Sequence, residues 1–180
     1  MLALISAGFM LQAALRPRSE ETAGRAEPVL ATAVGRRRWA GAHLAVAMGG
    51  TVVVIASGGL GTGLAFGVST GDLGQVTRIL GAALAHTPAV WVLGCFTVAI
   101  FGIVPRASAV GWAALAGCFV IGFLDPLLDL PKSVSDASPF SHIPQAPAAA
   151  VTAAPLLTLT LIAALLLLAG LTALRRRDIG

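Results

Sequence analysis

Five long runs of apolar residues without charges divide this sequence of 180 residues. An α-helix needs about 20 predominantly apolar residues to cross the hydrocarbon core of a bilayer. The runs cover residues 1–15, 41–68, 88–104, 107–124 and 156–174. Backbone N–H and C=O groups find no water inside a bilayer, so such runs cross it as helices. The pattern predicts an all-α polytopic membrane helix bundle with about five transmembrane helices.

The composition excludes a water-soluble globular domain. Hydrophobic residues make up 57% of the chain and charged residues 11%, whereas a soluble domain carries about 25% charged residues. The basic residues bracket the apolar runs instead of forming one exposed face, so we expect no nucleic-acid partner. Cys95 and Cys118 lie inside apolar runs, which is typical of small core residues and of neither a disulfide framework nor a zinc site. We expect no bound metal and no cofactor.

The first run is short for a membrane span. Its 15 residues end before Arg16 and reach about 22 Å at 1.5 Å per residue, so we interpret it as a truncated transmembrane helix. A cleaved signal peptide is the alternative. The run has no basic region before it and no clean small-residue cleavage site, and both absences argue against that alternative.

Glycines recur every fourth residue along the second run. Gly59, Gly63, Gly67 and Gly71 form this stripe. Small residues four apart lie on one helical face and let a second helix approach closely. The stripe therefore predicts a close contact between this helix and another one.

Residues 72–86 differ from the runs because apolar and polar side chains alternate with a helical period. This pattern predicts an amphipathic helix that lies in the membrane interface. The alternative is that residues 72–104 cross the membrane as one helix, kinked at Pro88 and with His86 inside the bilayer. For His86 we favour a neutral ring bonded to a backbone carbonyl that Pro88 leaves without a donor, over a transport or ligand role.

The segment 125–155 separates the fourth and fifth runs and contains six prolines. Six prolines exclude one continuous helix. The segment also carries Leu128, Phe140 and Ile143 among other apolar residues, too many for a solvated linker. We therefore predict an outer hairpin, half inserted into the membrane surface as short helical pieces.

The basic residues predict the orientation of the bundle. With the cluster Arg175, Arg176 and Arg177 placed in the cytoplasm, ten of the 12 Lys and Arg residues lie on the inner side, against Arg78 and Lys132 outside. Cytoplasmic loops carry an excess of Lys and Arg. The N-terminus is therefore predicted outside and the C-terminus, residues 175–180, in the cytoplasm.

The segment 16–38 is the longest predicted cytoplasmic stretch. Ser19 is predicted to cap a helix that has acidic residues in its first turn, and Glu21 lies four residues before Arg25, the favourable order for a helical ion pair. Further along, an apolar face recurs at helical spacing; its members are Ala26, Leu30, Ala33 and Val34. The sequence leaves two alternatives for what covers this face, the lipid headgroups or a partner protein.

The sequence predicts no enzyme. It contains neither an HExxH zinc helix nor a Walker A loop with its Lys, so ATP hydrolysis is not expected on this chain. Residues 67–71 match GxSxG. That motif acts on a strand-to-helix turn with a partner His and an acid, whereas here it ends an apolar helix, so we assign no catalytic residue.

Several motifs occur in an order that resembles one family of transporters. They are Glu21, Gly24, Arg25 and Glu27 ahead of Arg36, Arg38 and Trp39; residues 88–91, PAVW; residues 102–106, GIVPR; residues 138–144, SPFSHIP; and residues 176–178, RRD. Together they resemble the permeases of ABC-2-type exporters, most closely those of actinobacterial polyketide-antibiotic exporters of the tetronasin type. The resemblance covers nearly the whole chain. Family permeases have two six-span halves, so the chain corresponds to the last five spans, a C-terminal part.

The resemblance implies the function of the predicted segments. The cytoplasmic segment becomes a coupling helix that docks on a separate ABC ATPase subunit, through Glu21, Gly24, Arg25, Glu27, Leu30 and Val34. The outer hairpin becomes an outer gate, through Pro139, Phe140, His142 and Pro144. The expected function is export of hydrophobic compounds such as polyketide antibiotics or drugs across a bacterial plasma membrane. The expected partners are the ATPase, the missing permease half or a second copy, and the lipid bilayer.

A second function remains open from the residues alone. The chain is then a small membrane protein that transports nothing and binds a partner through its cytoplasmic amphipathic helix.

The predicted orientation is testable with single cysteines. In a background without Cys95 and Cys118, cysteines placed at Ser69 and at Ser135 should react with a membrane-impermeant maleimide added to intact cells, because both positions are predicted outside. Reaction at these positions only after permeabilisation would reverse the orientation.

Overall fold

The computed structural model describes residues 1–22, 36–104, 107, 109–128, 131–143 and 153–175. All regular secondary structure within these ranges is helical. The helices are α1 (Leu2–Ala14), α2 (Arg16–Thr22), α3 (Arg36–Thr70), α4 (Gly74–Leu84), α5 (Thr87–Ile103), α6 (Ala109–Leu128), α7 (Lys132–Ser135) and α8 (Ala153–Arg175). The predicted fold class, an all-α membrane helix bundle, is confirmed.

Three described segments are long and apolar enough to cross a membrane, namely Arg38–Thr70, Gly74–Ile103 and Ala153–Ala173. The segments Leu2–Ala14 and Ala109–Asp125 are shorter apolar helices. The most apolar part of Gly74–Ile103 is 67% buried, against 28% for Arg38–Thr70 and 17% for Ala153–Ala173. Helix α5 therefore occupies the centre of the bundle, with the other helices around it.

The long helices run in alternating directions. Leu2 of α1 lies at Gly58 of α3 and Phe9 lies at Gly50, so α1 and α3 are antiparallel. For α5 and α8 the direction follows from two contacts, Ala99 with Gly170 and Gly102 with Ala173. For α1 and α6 it follows from one contact each with α5, Met10 with Gly94 and Thr97 with Gly111, together with the buried cluster that Ala7, Val90 and Cys118 share. Each of α1, α3, α5, α6 and α8 thus reverses the direction of the one before it. How many of these helices cross the membrane stays a prediction.

Helices α5 and α8 cross with their backbones in contact. A Cβ atom built on Gly102 would lie 2.8 Å from the carbonyl oxygen of Gly170, and one built on Gly170 would lie 3.1 Å from the backbone nitrogen of Ala99. Real Cβ atoms essentially never come as close as 2.8 Å, and a contact of 3.1 Å is tighter than most. Glycine is therefore required at Gly102 and favoured at Gly170 for the helices to cross at this distance.

The glycine stripe of α3 contacts α4, as the close-packing prediction required. A Cβ atom on Gly59 would lie 2.8 Å from the Cβ of Ala83, and one on Gly63 would lie 3.0 Å from the Cα of Val76. Gly67 lies against Asp72 and Leu73. The fourth glycine, Gly71, belongs to the turn between the helices, where its φ of 70° is a conformation that favours glycine.

The two arms of this turn form an antiparallel helical hairpin, which we call the α3–α4 hairpin. Helix α3 has 35 residues and is about 50 Å long, which exceeds the roughly 30 Å of a hydrocarbon core. Since Leu2 lies at Gly58, the end of α3 and most of α4 extend past the start of α1. The position of residues 72–86 relative to the membrane surface stays a prediction.

The junction of α1 and α2 corrects the predicted cap at Ser19. Helix α2 begins at Arg16, three residues earlier, and the Ser19 hydroxyl donates to the carbonyl oxygen of Arg16 at 2.8 Å. The two helices are joined by Leu15, whose backbone is helical. Pro17 has no N–H for the carbonyl of Ala13, which places a bend at this point. The cap prediction was wrong because proline is tolerated in the first turn of a helix.

Helix α6 also differs from the predicted boundary of the fourth run. It continues through Leu128, past the predicted start of the hairpin at Asp125. Pro126 is thus tolerated in the last turn of a helix.

The crossing of α5 and α8 is expected to limit the stability of the bundle. Gly102→Leu should lower the free energy of unfolding by about 1 to 3 kcal/mol, the usual cost of overpacking, because the new side chain meets the backbone of Gly170. Gly49→Leu is the matched control, since a Cβ at Gly49 has no atom within 4 Å. Thermal unfolding in detergent measures both. Equal melting temperatures for the two variants would contradict the crossing.

Candidate functional site

The predicted coupling residues are only partly within the described ranges. The backbone of Glu21 lies in α2, one residue before its end. Gly24, Arg25, Glu27, Leu30 and Val34 lie outside the described residues. The structure therefore shows the two ends of the predicted coupling segment. The segment begins after α1 and ends at the start of α3.

A polar cluster ties the start of the coupling segment to α3. The carboxylate Oε2 of Glu20 lies 3.6 Å from Nε2 of His43, and both side chains are about one quarter to one third exposed. Nδ1 of His43 donates to the carbonyl oxygen of Trp39 at 3.0 Å, and the two rings pack edge to face. Trp39 is buried against Ala40 and Leu171. We call this region the Trp39 end of the bundle.

The predicted outer gate is described from residue 131 to residue 143 and lies at the opposite end. Its short helix α7 is fastened to α6, because the Ser135 hydroxyl donates to Oδ1 of Asp125 at 2.6 Å. Ser141 donates to the carbonyl oxygens of Ser135 and Ser138, both at 2.7 Å. Ser138 is 3% exposed and forms a side-chain hydrogen bond with Cys118 of α6. The segment is therefore folded onto the bundle.

The apolar side chains of this segment pack at the N-terminal end of α5. Ile143 is 5% exposed and packs with Ala85, Ala89 and Leu159. Phe140 is half-buried and contacts both this cluster and the central core. Of the other predicted gate residues, Pro139 is half-buried, His142 is exposed with Nδ1 donating to Ser138, and Pro144 lies outside the described residues.

His86 lies in the break between α4 and α5. Its backbone N–H donates to the carbonyl of Ala83 at 3.0 Å, and its Nδ1 lies 2.8 Å from the carbonyl oxygen of Ala82. A carbonyl only accepts, so Nδ1 carries the proton and donates. The side chain of His86 thus bonds to a backbone carbonyl, but the acceptor is Ala82 and not Leu84, the residue whose carbonyl Pro88 would leave without a donor.

Two adjoining cavities meet at the half-buried side chain of His86. One, of about 250 Å³, lies between α1, α3 and α4 and includes Ile55, Thr62 and Ile79 in its lining. The other, of about 220 Å³, lies between α1, α6 and the gate segment and includes Phe119, Phe123 and Phe140. Met1, Ala3 and His86 line both. We call the pair the His86 chamber, and this side of the molecule the His86 end.

The sequence did not predict the His86 chamber. Phe119 and Phe123 stack with their ring centroids 6.2 Å apart, and each is about half exposed. Their spacing of four residues marks one helical face, but the same spacing is typical of lipid-facing residues. Only the tertiary packing of α1 and Phe140 against that face distinguishes it.

The described residues contain no candidate metal site. No three described His, Cys, Asp or Glu residues are grouped so as to hold a metal ion. In the GxSxG match, the Ser69 hydroxyl donates to the carbonyl of Phe66 at the exposed end of α3, with no His or acid bonded to it in that part of the structure. Cys95 and Cys118 are buried free cysteines, as predicted.

Comparison with known proteins gives a match along nearly the whole chain. Residues 1–175 match the protein family described as "Multidrug efflux system permease Rv1217c, C-terminal domain". The chain is 39% identical over 180 residues to the multidrug efflux system permease protein Rv1217c of Mycobacterium tuberculosis. This alignment covers 99% of the chain and 33% of that protein. The chain thus spans about one third of the length of the curated relative that it matches.

Burial in the gate segment predicts an order of cysteine reactivity. In a background without Cys95 and Cys118, cysteine at Asp136 should react with a soluble maleimide at least about tenfold faster than cysteine at Ile143, since Asp136 is exposed and Ile143 is 5% exposed. Cysteine at the half-buried Phe140 should react at an intermediate rate. Equal, fast reaction at the three positions would show an ordinary solvated loop.

Proposed function

The chain belongs to the family of the C-terminal domain of multidrug efflux system permeases, and from that membership we propose that it forms the C-terminal part of the transmembrane subunit of an ATP-driven exporter. The observation that carries this proposal is the 39% identity to an efflux permease along 99% of the chain. A match of that extent covers the helices at both ends of the bundle, including α2 and the gate segment. The chain is a membrane-embedded, multi-pass protein.

We infer that ATP hydrolysis takes place on a separate ABC ATPase subunit, to which residues 16–38 dock as the coupling segment. The sequence has no Walker A loop, so this chain supplies movement and not hydrolysis. The contact between Glu20 and His43 supports the assignment, because it joins the start of the segment to α3. A force on the segment then reaches two helices of the bundle.

Helix α1 supports a path for that force to the His86 chamber. It joins α2 through the helical residue Leu15, and its other end lines both cavities at Met1 and Ala3. Its 13 residues span about 20 Å. Met10 and Leu11 are fully buried, so α1 is enclosed by α3, α5 and α6 and moves as a rigid body or not at all. Closure of the ATPase would thereby shift one wall of the chamber.

The substrates in this proposal are hydrophobic compounds, such as polyketide antibiotics or drugs. The ordered motifs shared with tetronasin-type permeases support this class, and the apolar lining of the chamber agrees with it. Residues 125–155 then act as the outer gate, and Phe140 of this segment lines the chamber. The N-terminus lies outside and the C-terminus in the cytoplasm of a bacterial plasma membrane.

The proposal includes a further part of the permease as a partner, because the chain spans only one third of its relative. Large apolar side chains of α6 are exposed, and some of them suit such a contact. They include Val110, Trp112 and Val120. The alternative function, a membrane protein that transports nothing, predicts partner binding through residues 16–38 without substrate export.

The coupling segment gives the sharpest test of the exporter function. On a helix, Leu30 lies on the apolar face with Ala26, Ala33 and Val34, whereas Thr32 lies on the opposite face. Leu30→Asp should abolish co-purification of the ATPase subunit with the permease, because burying a leucine is worth about 1.5 to 3 kcal/mol and the aspartate adds an unpaired charge. Thr32→Asp should leave recovery of the ATPase close to that of the unmodified permease.

Salt separates a protein partner from lipid headgroups on that face. Attachment through Arg36, Arg37 and Arg38 to anionic lipid weakens as salt rises, whereas the Leu30 contact should be insensitive to it. Undiminished ATPase recovery with Leu30→Asp at low and high salt would reject the coupling assignment.

A further inference from the structure

We propose that the His86 chamber binds a small apolar molecule that presents one hydrogen-bond donor, a hydroxyl or an N–H group, to Nε2 of His86. One part of the inference rests on the proposed export function: if the permease exports hydrophobic compounds, molecules that bind in this chamber are among its substrates. The binding site itself stands on the geometry around His86.

The hydrogen bond of Nδ1 fixes what the other ring nitrogen does. Nδ1 donates to the carbonyl oxygen of Ala82 at 2.8 Å. In the neutral ring with its proton on Nδ1, Nε2 is an acceptor only. Nε2 has no hydrogen-bond partner among the described residues. His86 is half-buried and is a lining residue of both cavities, which puts this unpaired acceptor at the place where the proposal seats the donor of a ligand.

The rest of the lining is apolar and specifies the body of the ligand. Leu2, Ile55 and Ile79 line the first cavity, and Phe119, Phe123 and Phe140 line the second. The hydroxyl of Thr62 already donates to the carbonyl of Gly58 at 2.7 Å. No Asp, Glu, Lys or Arg side chain lines either cavity in the described structure. A charged ligand would therefore meet no side chain of opposite charge in this lining.

The size of the chamber supports a small ligand. Cavities that bind drug-sized molecules measure about 300 to 1,000 Å³. The two cavities measure about 250 and 220 Å³. Each alone is below that range, and the pair, which meets at His86, falls within it. A molecule of one or two rings fits one cavity, and a longer one spans both.

The aromatic side of the chamber is accessible to such a ring. Phe119 and Phe123 are stacked within 8° of parallel and are 45% and 54% exposed. Gly122 also lines this cavity, and a Cβ atom built on it has no atom within 4 Å. The space beside the two rings is therefore open, and an added side chain at Gly122 would occupy it.

The test uses two naphthalene probes, 2-naphthol, which has a hydroxyl donor, and 2-methoxynaphthalene, in which a methyl group replaces the hydroxyl hydrogen. The full chain is placed in lipid nanodiscs, and equilibrium dialysis against empty nanodiscs subtracts partition into lipid. The unmodified chain should bind 2-naphthol about threefold to tenfold more tightly than the ether, as one hydrogen bond predicts. Equal affinities for the two probes would overturn the proposal.

Variants of the ring assign the preference to Nε2. His86→Phe should remove it, whereas His86→Gln, which retains an acceptor, should keep part of it. His43→Phe, at the Trp39 end, should keep the full preference. A preference that survives in a folded His86→Phe chain, with folding checked by thermal unfolding, would overturn the proposal. If His86→Phe does not fold, either of two other results would overturn the proposal. One is loss of the preference for 2-naphthol in His43→Phe, and the other is its complete loss in His86→Gln.

A second pair of variants locates the ligand. Gly122→Leu should weaken binding of both probes at least about tenfold by filling the aromatic cavity. Gly61→Leu is the matched control, since a Cβ at Gly61 also has no atom within 4 Å and Gly61 lies outside the chamber. Equal affinities in these two variants would place the probes elsewhere and reject the site.

Export assays in cells separate this inference from the proposed function. If the permease exports no hydrophobic compound but the chain keeps its His86-dependent preference, the export function fails and the site stands. If export is intact and the preference is absent, the site fails and the export function stands.

Discussion

The contact between Gly102 and Gly170 brings α5 and α8 to the closest backbone approach described in this bundle. Lipid tails are as apolar as leucine, so helices in a bilayer gain little from burying apolar surface and depend on close packing instead. Helix α5 meets its other neighbours in the same way, with Gly94 under Met10 of α1 and with Thr97 over Gly111 of α6. Three neighbours are therefore positioned by contacts that admit no larger side chain. The positions of the chamber and the gate segment follow from them.

The two ends of the bundle differ in chemistry. The Trp39 end carries the polar pair Glu20 and His43, whereas the His86 chamber is apolar and has one imidazole acceptor. Helix α1 joins the ends, and its core residues are held by α3, α5 and α6. A rearrangement at one end reaches the other through packed side chains only if those contacts have two arrangements. The loosely covered Phe119 and Phe123 are suited to such a change, and the glycine crossings are not.

The sequence predicted the helices well and their tertiary neighbours only in part. Apolar runs specify helices because the bilayer leaves the backbone no other solution, and the stripe from Gly59 to Gly67 correctly predicted a close contact. Ser19 was misassigned because Pro17 permits an earlier helix start, and Gly71 because a stripe does not reveal where a turn begins. The chamber could not be predicted, since it is assembled from α1, α3, α4, α6 and the gate segment, which are separated by tens of residues.

The sequence offers a structural role and a ligand-binding role for His86. The hydrogen bond of its Nδ1 makes these two roles dependent on each other. At the α4–α5 junction the backbone N–H of His86 donates to Ala83 in place of Ala82, and Nδ1 of the same residue donates to the carbonyl of Ala82. That same bond sets the tautomer, which makes Nε2 an acceptor. The local break thus determines the chemistry that the chamber presents. Glutamine supplies one acceptor, its amide oxygen, but has no ring that fixes this acceptor relative to a donor on Ala82, so it replaces the acceptor role without replacing the coupling between the two roles.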